Sequence, residues 1–291
     1  MAISNEAKIL YEKLQAMHYR EQLMQTFSNN LELPENQRAK STNFPKKVQQ
    51  HMYQEDGYDV LTVWLDEKPI KGDLMMLHGG AFIMPISPAF NQLVVQFLKC
   101  GYRVCLPDYP LAPTALSQSR AWLLKVYRKW FEQSEGSHFL FGESAGANLA
   151  LRLLLDLERQ EQPCATELLS ICPDLSFMAS PEVIANDLIL DADIMRTLQG
   201  YAALADFDFK TLDENKYVGS VHFDTGGNEC NVPAVKQLTQ QLAYNEKNDI
   251  TVTISDGMIH DFMLWQMLPE AKEAIKAVDV FFQKNHLLTN K

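Results

Sequence analysis

Along the chain, short apolar runs alternate with longer stretches in which apolar positions recur every three or four residues. The short runs, at residues 60–65, 74–77, 102–106, 138–141, 168–172, 217–223 and 250–254, predict strands. Between them the helical spacing predicts helices over 89–99, 115–133, 147–161, 233–245 and from about 269 to 284. Strand and helix in alternation imply an α/β domain with a parallel sheet and crossover helices. Ahead of this block, Ile9, Leu10, Leu14, Met17, Leu23, Met24 and Phe27 predict one amphipathic helix over 7–27, followed by a polar stretch over 32–50. The alternation lapses over 173–216, where Asp-rich turns surround two weak helical patterns at 191–204 and 207–214, as expected of an insertion over the sheet. No repeat or low-complexity tract interrupts the chain. The expected organisation is an N-terminal helical segment, 1–50, and one domain, 51–291, carrying the insertion.

With 46% hydrophobic and 22% charged residues, the 291-residue chain has the composition of a globular protein able to build a large core. Its net charge of −11 removes the basic footprint of a nucleic-acid or anionic-membrane binder. The five cysteines are odd in number and scattered, which predicts free thiols in a reducing compartment. Residues 1–15 lack the pattern of a signal peptide and no apolar run is long enough to span a bilayer, so the expectation is a soluble, cytoplasmic protein without stable membrane association.

The chemistry concentrates in Gly142-Glu143-Ser144-Ala145-Gly146, which follows one predicted strand and opens a predicted helix. A serine on so sharp a turn sits in a strained backbone, and small neighbours let strand and helix pass closely. Ser144 is therefore the candidate nucleophile, at a helix N-terminus whose dipole favours developing negative charge. Upstream, His78-Gly79-Gly80-Ala81 follows another strand. Its glycines suit a loop whose amides face an oxyanion, so Gly79, Gly80 and Ala145 are the expected donors, with His78 as a scaffold. Of seven histidines, only His260 directly follows the last strand, where the general base of this topology belongs. The acid belongs after the preceding strand, which leaves Glu229, favoured for lying beyond the strand's end, and Asp224 as the alternative. No His, Cys and Asp cluster has metal-ligand spacing, so no metal is expected.

Together these residues resemble the hormone-sensitive-lipase-like branch of the α/β-hydrolase family, in order from about residue 60 to 284. Pro107-Asp108-Tyr109-Pro110-Leu111-Ala112-Pro113 is similar to a family segment that supports the oxyanion loop, which implies a supporting role for Asp108. Three departures stand out. Ala81 replaces the usual third glycine, and Pro110 and Thr114 replace the usual arginine and glutamate. The acid motif appears as Gly226-Gly227-Asn228-Glu229-Cys230-Asn231, aligning Glu229 with the acid. The resemblance implies an α/β-hydrolase fold, a mostly parallel sheet flanked by helices, with a cap formed by the N-terminal helices and the insertion. It also implies a cofactor-free carboxylesterase acting on a small-molecule acyl ester of short to medium chain. Phe82, Ile83 and Met84, next to the oxyanion loop, are the expected substrate-binding residues. An amidase, deacetylase or acyltransferase would use the same triad, and a silent binding scaffold would have lost Ser144 or His260. Homo-oligomerisation is left open.

Overall fold

The computed structural model describes residues 3–286 except 42, 114, 135, 174–180, 192–208, 210–211 and 214. The two weak helical patterns of the insertion therefore lie almost wholly outside the described residues, as does Thr114. In chain order the main elements are α1 (Asn5–Ala16), α2 (Tyr19–Glu32), β1 (Gln49–Glu55), β2 (Tyr58–Trp64), β3 (Gly72–Leu77), α3 (Pro88–Cys100) and β4 (Tyr102–Pro107). There follow α4 (Leu116–Gln133), β5 (His138–Glu143), α5 (Ala145–Asp156), β6 (Ala165–Leu169) and the short α6 (Pro181–Asn186). The chain closes with β7 (Ser220–Gly226), α7 (Val232–Ala243), β8 (Asp249–Ser255) and α8 (Pro269–Asn285).

The strands form one eight-stranded sheet in the order β1-β2-β4-β3-β5-β6-β7-β8. From β4 to β8 every pairing is parallel, while β1 with β2 and β2 with β4 run antiparallel. The central strands β3, β5 and β6 are buried almost throughout, because helices cover both faces. On one face α3 and α8 pack with α1 around Phe97, Phe139 and Phe282, the last two stacked at 4.8 Å between ring centres. On the other face α4, α5 and α7 bury Trp122, Leu149, Leu154 and Leu238. Residues buried this completely each contribute on the order of 1.5–3 kcal/mol of hydrophobic stabilisation.

The fold departs from the sequence pattern in three places. Residues 7–27 are not one helix: His18 takes a left-handed φ of 51° and splits α1 from α2. Periodicity is blind to a one-residue break, and the break gives the two halves different partners. In α1, the hydroxyl of Tyr11 donates to Gly257 O at 2.6 Å, and just ahead of it Ser4 binds Glu270, whereas α2 turns Tyr19, Leu23 and Phe27 to the cavity described below. The polar edge strand β1 was not expected, because it is mostly exposed and carries no apolar alternation. Finally, β6 starts three residues before the predicted strand and β7 three residues after its predicted start. Inside them Glu167 and His222 are buried as a hydrogen-bonded pair, and a polar pair in the core is invisible to a hydropathy pattern.

Candidate active site

β5 delivers Ser144 on a turn with φ 52° and ψ −114°, outside the regions a side chain ordinarily permits, and α5 begins at the next residue. The crossing is tight. A Cβ on Gly146 would lie 2.2 Å from Leu77 O, and one on Gly142 would lie 2.5 Å from Ala147 Cα, so only glycine fits at either position. The strain is thus held in place by close packing of β3, β5 and α5.

Three loops at the carboxyl ends of β5, β7 and β8 bring Ser144, Glu229 and His260 together. Ser144 Oγ lies 2.9 Å from His260 Nε2, and His260 Nδ1 donates to Glu229 Oε2 at 2.8 Å. That acceptor fixes the proton on Nδ1 and turns Nε2 to the serine. The other oxygen of Glu229 accepts from the Gly226 amide at 2.5 Å and from Ser170 Oγ at 2.7 Å, so the carboxylate is held on both sides. Asp224, the alternative acid, points elsewhere: its Oδ1 accepts from Ser255 Oγ at 3.3 Å, and it makes no contact with His260. The imidazole is 2% exposed. Burial opposes its charge, but the carboxylates of Asp261 and then Glu229 outweigh burial and raise its pKa well above the ordinary value.

The oxyanion loop requires a correction. The amide of Gly79 is not available to a ligand, because it donates to Glu143 Oε2 at 2.7 Å. Glu143, beside the serine, folds its carboxyl under the loop and claims the first amide after His78. The amides of Gly80 and Ala81 have no acceptor among the described residues, and both residues line the same cavity as Ser144. There the chain turns through φ values of 98° and 56°. Ala145 lines the cavity as well, and as the first residue of α5 its amide has no acceptor within the helix.

Behind the loop, His78 Nδ1 donates to Gly79 O at 2.8 Å and the ring stacks on Tyr109 at 4.4 Å between centres. Burial pushes the His78 pKa down. The hydroxyl of Tyr109 donates to His78 O at 2.6 Å, so Tyr109 supports the loop directly, while its neighbour Asp108 pairs with Lys40. Of the three expected substrate-binding residues, Phe82 and Met84 line the cavity. Ile83 does not. It packs into the core, and its carbonyl accepts from Arg38 Nη1 at 2.8 Å.

The cavity measures about 420 Å³, and its wall is largely apolar, with Leu23 and Phe27 from α2, Ile189 and Leu190 after α6, and Trp265. Among the described residues, its ionisable lining consists of Tyr19, Cys172, His78, His260 and the carboxyls of Glu143 and Asp261, with no Lys or Arg. The sequence reading missed Ser170, Asp261 and the side chain of Glu143 as parts of the site. Asp261 was detectable by adjacency to His260, but Ser170, at the end of β6, has no local signal. Among the described residues no group of three or more His, Cys, Asp and Glu side chains could hold a metal ion, and no helix is long and apolar enough to cross a membrane.

The family model of the α/β hydrolase fold matches residues 74–264, which spans the sheet from β3 through the His260 loop. The chain belongs to the α/β-hydrolase family. Solved structures of this fold superpose over nearly its whole length. An esterase from the bacterial hormone-sensitive lipase family is 18% identical with a TM-score of 0.71, covering 98% of this chain and 100% of its own. A double mutant of the esterase E40 is 19% identical with a TM-score of 0.75 and the same coverage. A hormone-sensitive lipase from a metagenome library is 16% identical with a TM-score of 0.70, covering 92% of this chain and 98% of its own. No curated protein matches the sequence significantly. In this α/β-hydrolase Ser144, Glu229 and His260 follow β5, β7 and β8 in turn.

Proposed function

We propose that this α/β-hydrolase is a serine carboxylesterase that cleaves neutral, short- to medium-chain acyl esters through an acyl-enzyme. The observation that carries the reading is the continuous chain from Ser144 Oγ through His260 to Glu229, ending at a cavity where three amides lack partners. Ser144 Oγ attacks the acyl carbon while His260 Nε2 takes its proton. The oxyanion receives the amides of Gly80, Ala81 and Ala145 at the N-terminus of α5. His260 then gives the proton to the departing alcohol, and water, activated by the same nitrogen, releases the acid. Glu229 keeps Nδ1 protonated and stabilises the imidazolium without taking the proton itself.

Cavity size and lining support the substrate class. A volume of about 420 Å³ is typical of a small-molecule pocket, and each methylene buried there contributes about 0.8 kcal/mol until the space is full. The N-terminal helices act as a cap, with α2 supplying part of the cavity wall beside Ile189 and Leu190. Hydrolysis of p-nitrophenyl esters from two to about twelve carbons is the test, with Ser144→Ala as control. A maximum between roughly two and eight carbons is expected. Fluorophosphonate labelling at a residue other than Ser144, or a maximum at long chains, overturns the reading.

A further inference from the structure

A second carboxylate reaches the histidine. Asp261 follows His260 directly and holds a left-handed φ of 55°, a costly conformation for a residue with a side chain. Its amide donates to Ser170 Oγ at 3.0 Å, the hydroxyl that also binds Glu229. So anchored, Asp261 Oδ2 lies 3.1 Å from His260 Nε2, the nitrogen that faces Ser144. Its other oxygen, Oδ1, is buried without a donor in the protein. The carboxyl of Glu143, itself buried under the oxyanion loop, faces that of Asp261 within hydrogen-bond reach. A carboxylate facing a buried carboxyl favours the protonated form of the buried group. Glu143 is the acid of the pair, since burial and then the charge of Asp261 push its pKa well up. The Glu143 proton is the donor between the two carboxyls.

We propose that Asp261 is a positioning residue that grips Nε2–H of His260 in competition with Ser144, and so sets how alkaline the medium must be before His260 can act as a base. The inference rests on the reading of Ser144 and His260 as nucleophile and base. The groups facing the imidazole and this carboxylate are Glu229 from the loop after β7, Glu143 from β5, Cys172 from the end of β6 and Tyr19 from α2. None of them supplies a positive charge to oppose the two carboxylates. With one on each nitrogen the resting ring is an imidazolium, and it must lose its Nε2 proton before Ser144 can pass on its own.

The test is a ¹⁵N-histidine NMR titration of the full chain, with the His260 resonances assigned by their loss in His260→Gln. In the wild type His260 is expected to titrate well above the ~6.5 of a free imidazole. Asp261→Asn lowers that midpoint by about one pH unit or more. Glu143→Gln leaves it in place, because the amide still donates to Asp261 and accepts from Gly79, as the neutral acid does. Asp261→Ser serves if the asparagine variant fails to fold, and the wild-type midpoint needs no variant. A wild-type midpoint at or below ~6.5, no shift in Asp261→Asn, or an equal shift in Glu143→Gln overturns the proposal. Because the titration needs no turnover, an inactive chain with the expected midpoints overturns the esterase reading alone. An active enzyme with an ordinary midpoint overturns only the role of Asp261.

Discussion

Among the described residues, two chains of glutamate, histidine and hydroxyl have nearly the same geometry. At the ends of the strands, Glu229, His260 and Ser144 are linked at 2.8 and 2.9 Å; inside the sheet, Glu167, His222 and Thr253 are linked at 2.7 and 2.8 Å. Both carboxylate and histidine pairs are buried. The surroundings separate them. Ser144 stands on a strained turn at a helix N-terminus, beside amides without acceptors and a cavity of about 420 Å³. Thr253 lies in the extended backbone of the edge strand β8, and neither it nor His222 lines that cavity. A relay of hydrogen bonds is therefore a common structural solution to burying a histidine. It becomes catalytic only where the hydroxyl can meet a carbonyl whose oxygen has donors waiting.

The largest expected contrast is between the two hydroxyls. Ser144→Ala or His260→Gln should lower kcat for p-nitrophenyl butyrate by a factor on the order of 10⁴ to 10⁶, while Thr253→Val should leave it within about twofold. Equal losses at the two sites would erase the distinction between the two relays. Next come the acids. Glu229→Gln should lower kcat by about 10⁴ in a folded protein, because the proton on Nδ1 loses its acceptor. Asp224→Asn, which leaves that acceptor intact, should cost less than about tenfold, and the reverse ranking would move the acid's role.

A smaller effect is expected at the cavity wall. Phe27→Ala should lower kcat/KM for the butyryl ester by about tenfold and move the acyl maximum to longer chains, since an enlarged pocket loses contact with short ones and admits more methylenes. An unchanged chain-length profile would remove α2 from the acyl pocket. The smallest effect belongs to the inner relay and concerns stability. Burial opposes the charge of His222, but the Glu167 carboxylate outweighs it and lifts its pKa to about 9. Burial, then the charge of Glu167, pushes Asp224 up to about 8. Both groups keep protons in the folded state that the unfolded chain releases at lower pH. The stability His222 contributes is thus complete below ~6.5 and is lost as pH rises through about 9, while that from Asp224 is lost from ~3.9 through about 8. The thermal midpoint should fall between pH 6.5 and 9, and His222→Gln should flatten that upper part of the fall. A midpoint that rises over this window contradicts the assignment.

What was legible from the residues had local causes. The elbow around Ser144 needs small residues at fixed offsets, and the position of His260 after the last strand follows from a topology that alternating strand and helix already imply. The preference for Glu229 over Asp224 needed only the length of a strand. Tertiary structure decided the features made by side chains distant in sequence. Glu143 takes the amide of Gly79 and so shifts the candidate donors to Gly80 and Ala81; Ile83 turns to the core and Arg38. Ser170 bridges Glu229 to the amide of Asp261. His18 breaks the first helix so that each half finds its own surface. A sequence pattern reports which face of an element prefers water. It carries no record of which polar group, brought close by the fold, will satisfy a particular buried donor or acceptor.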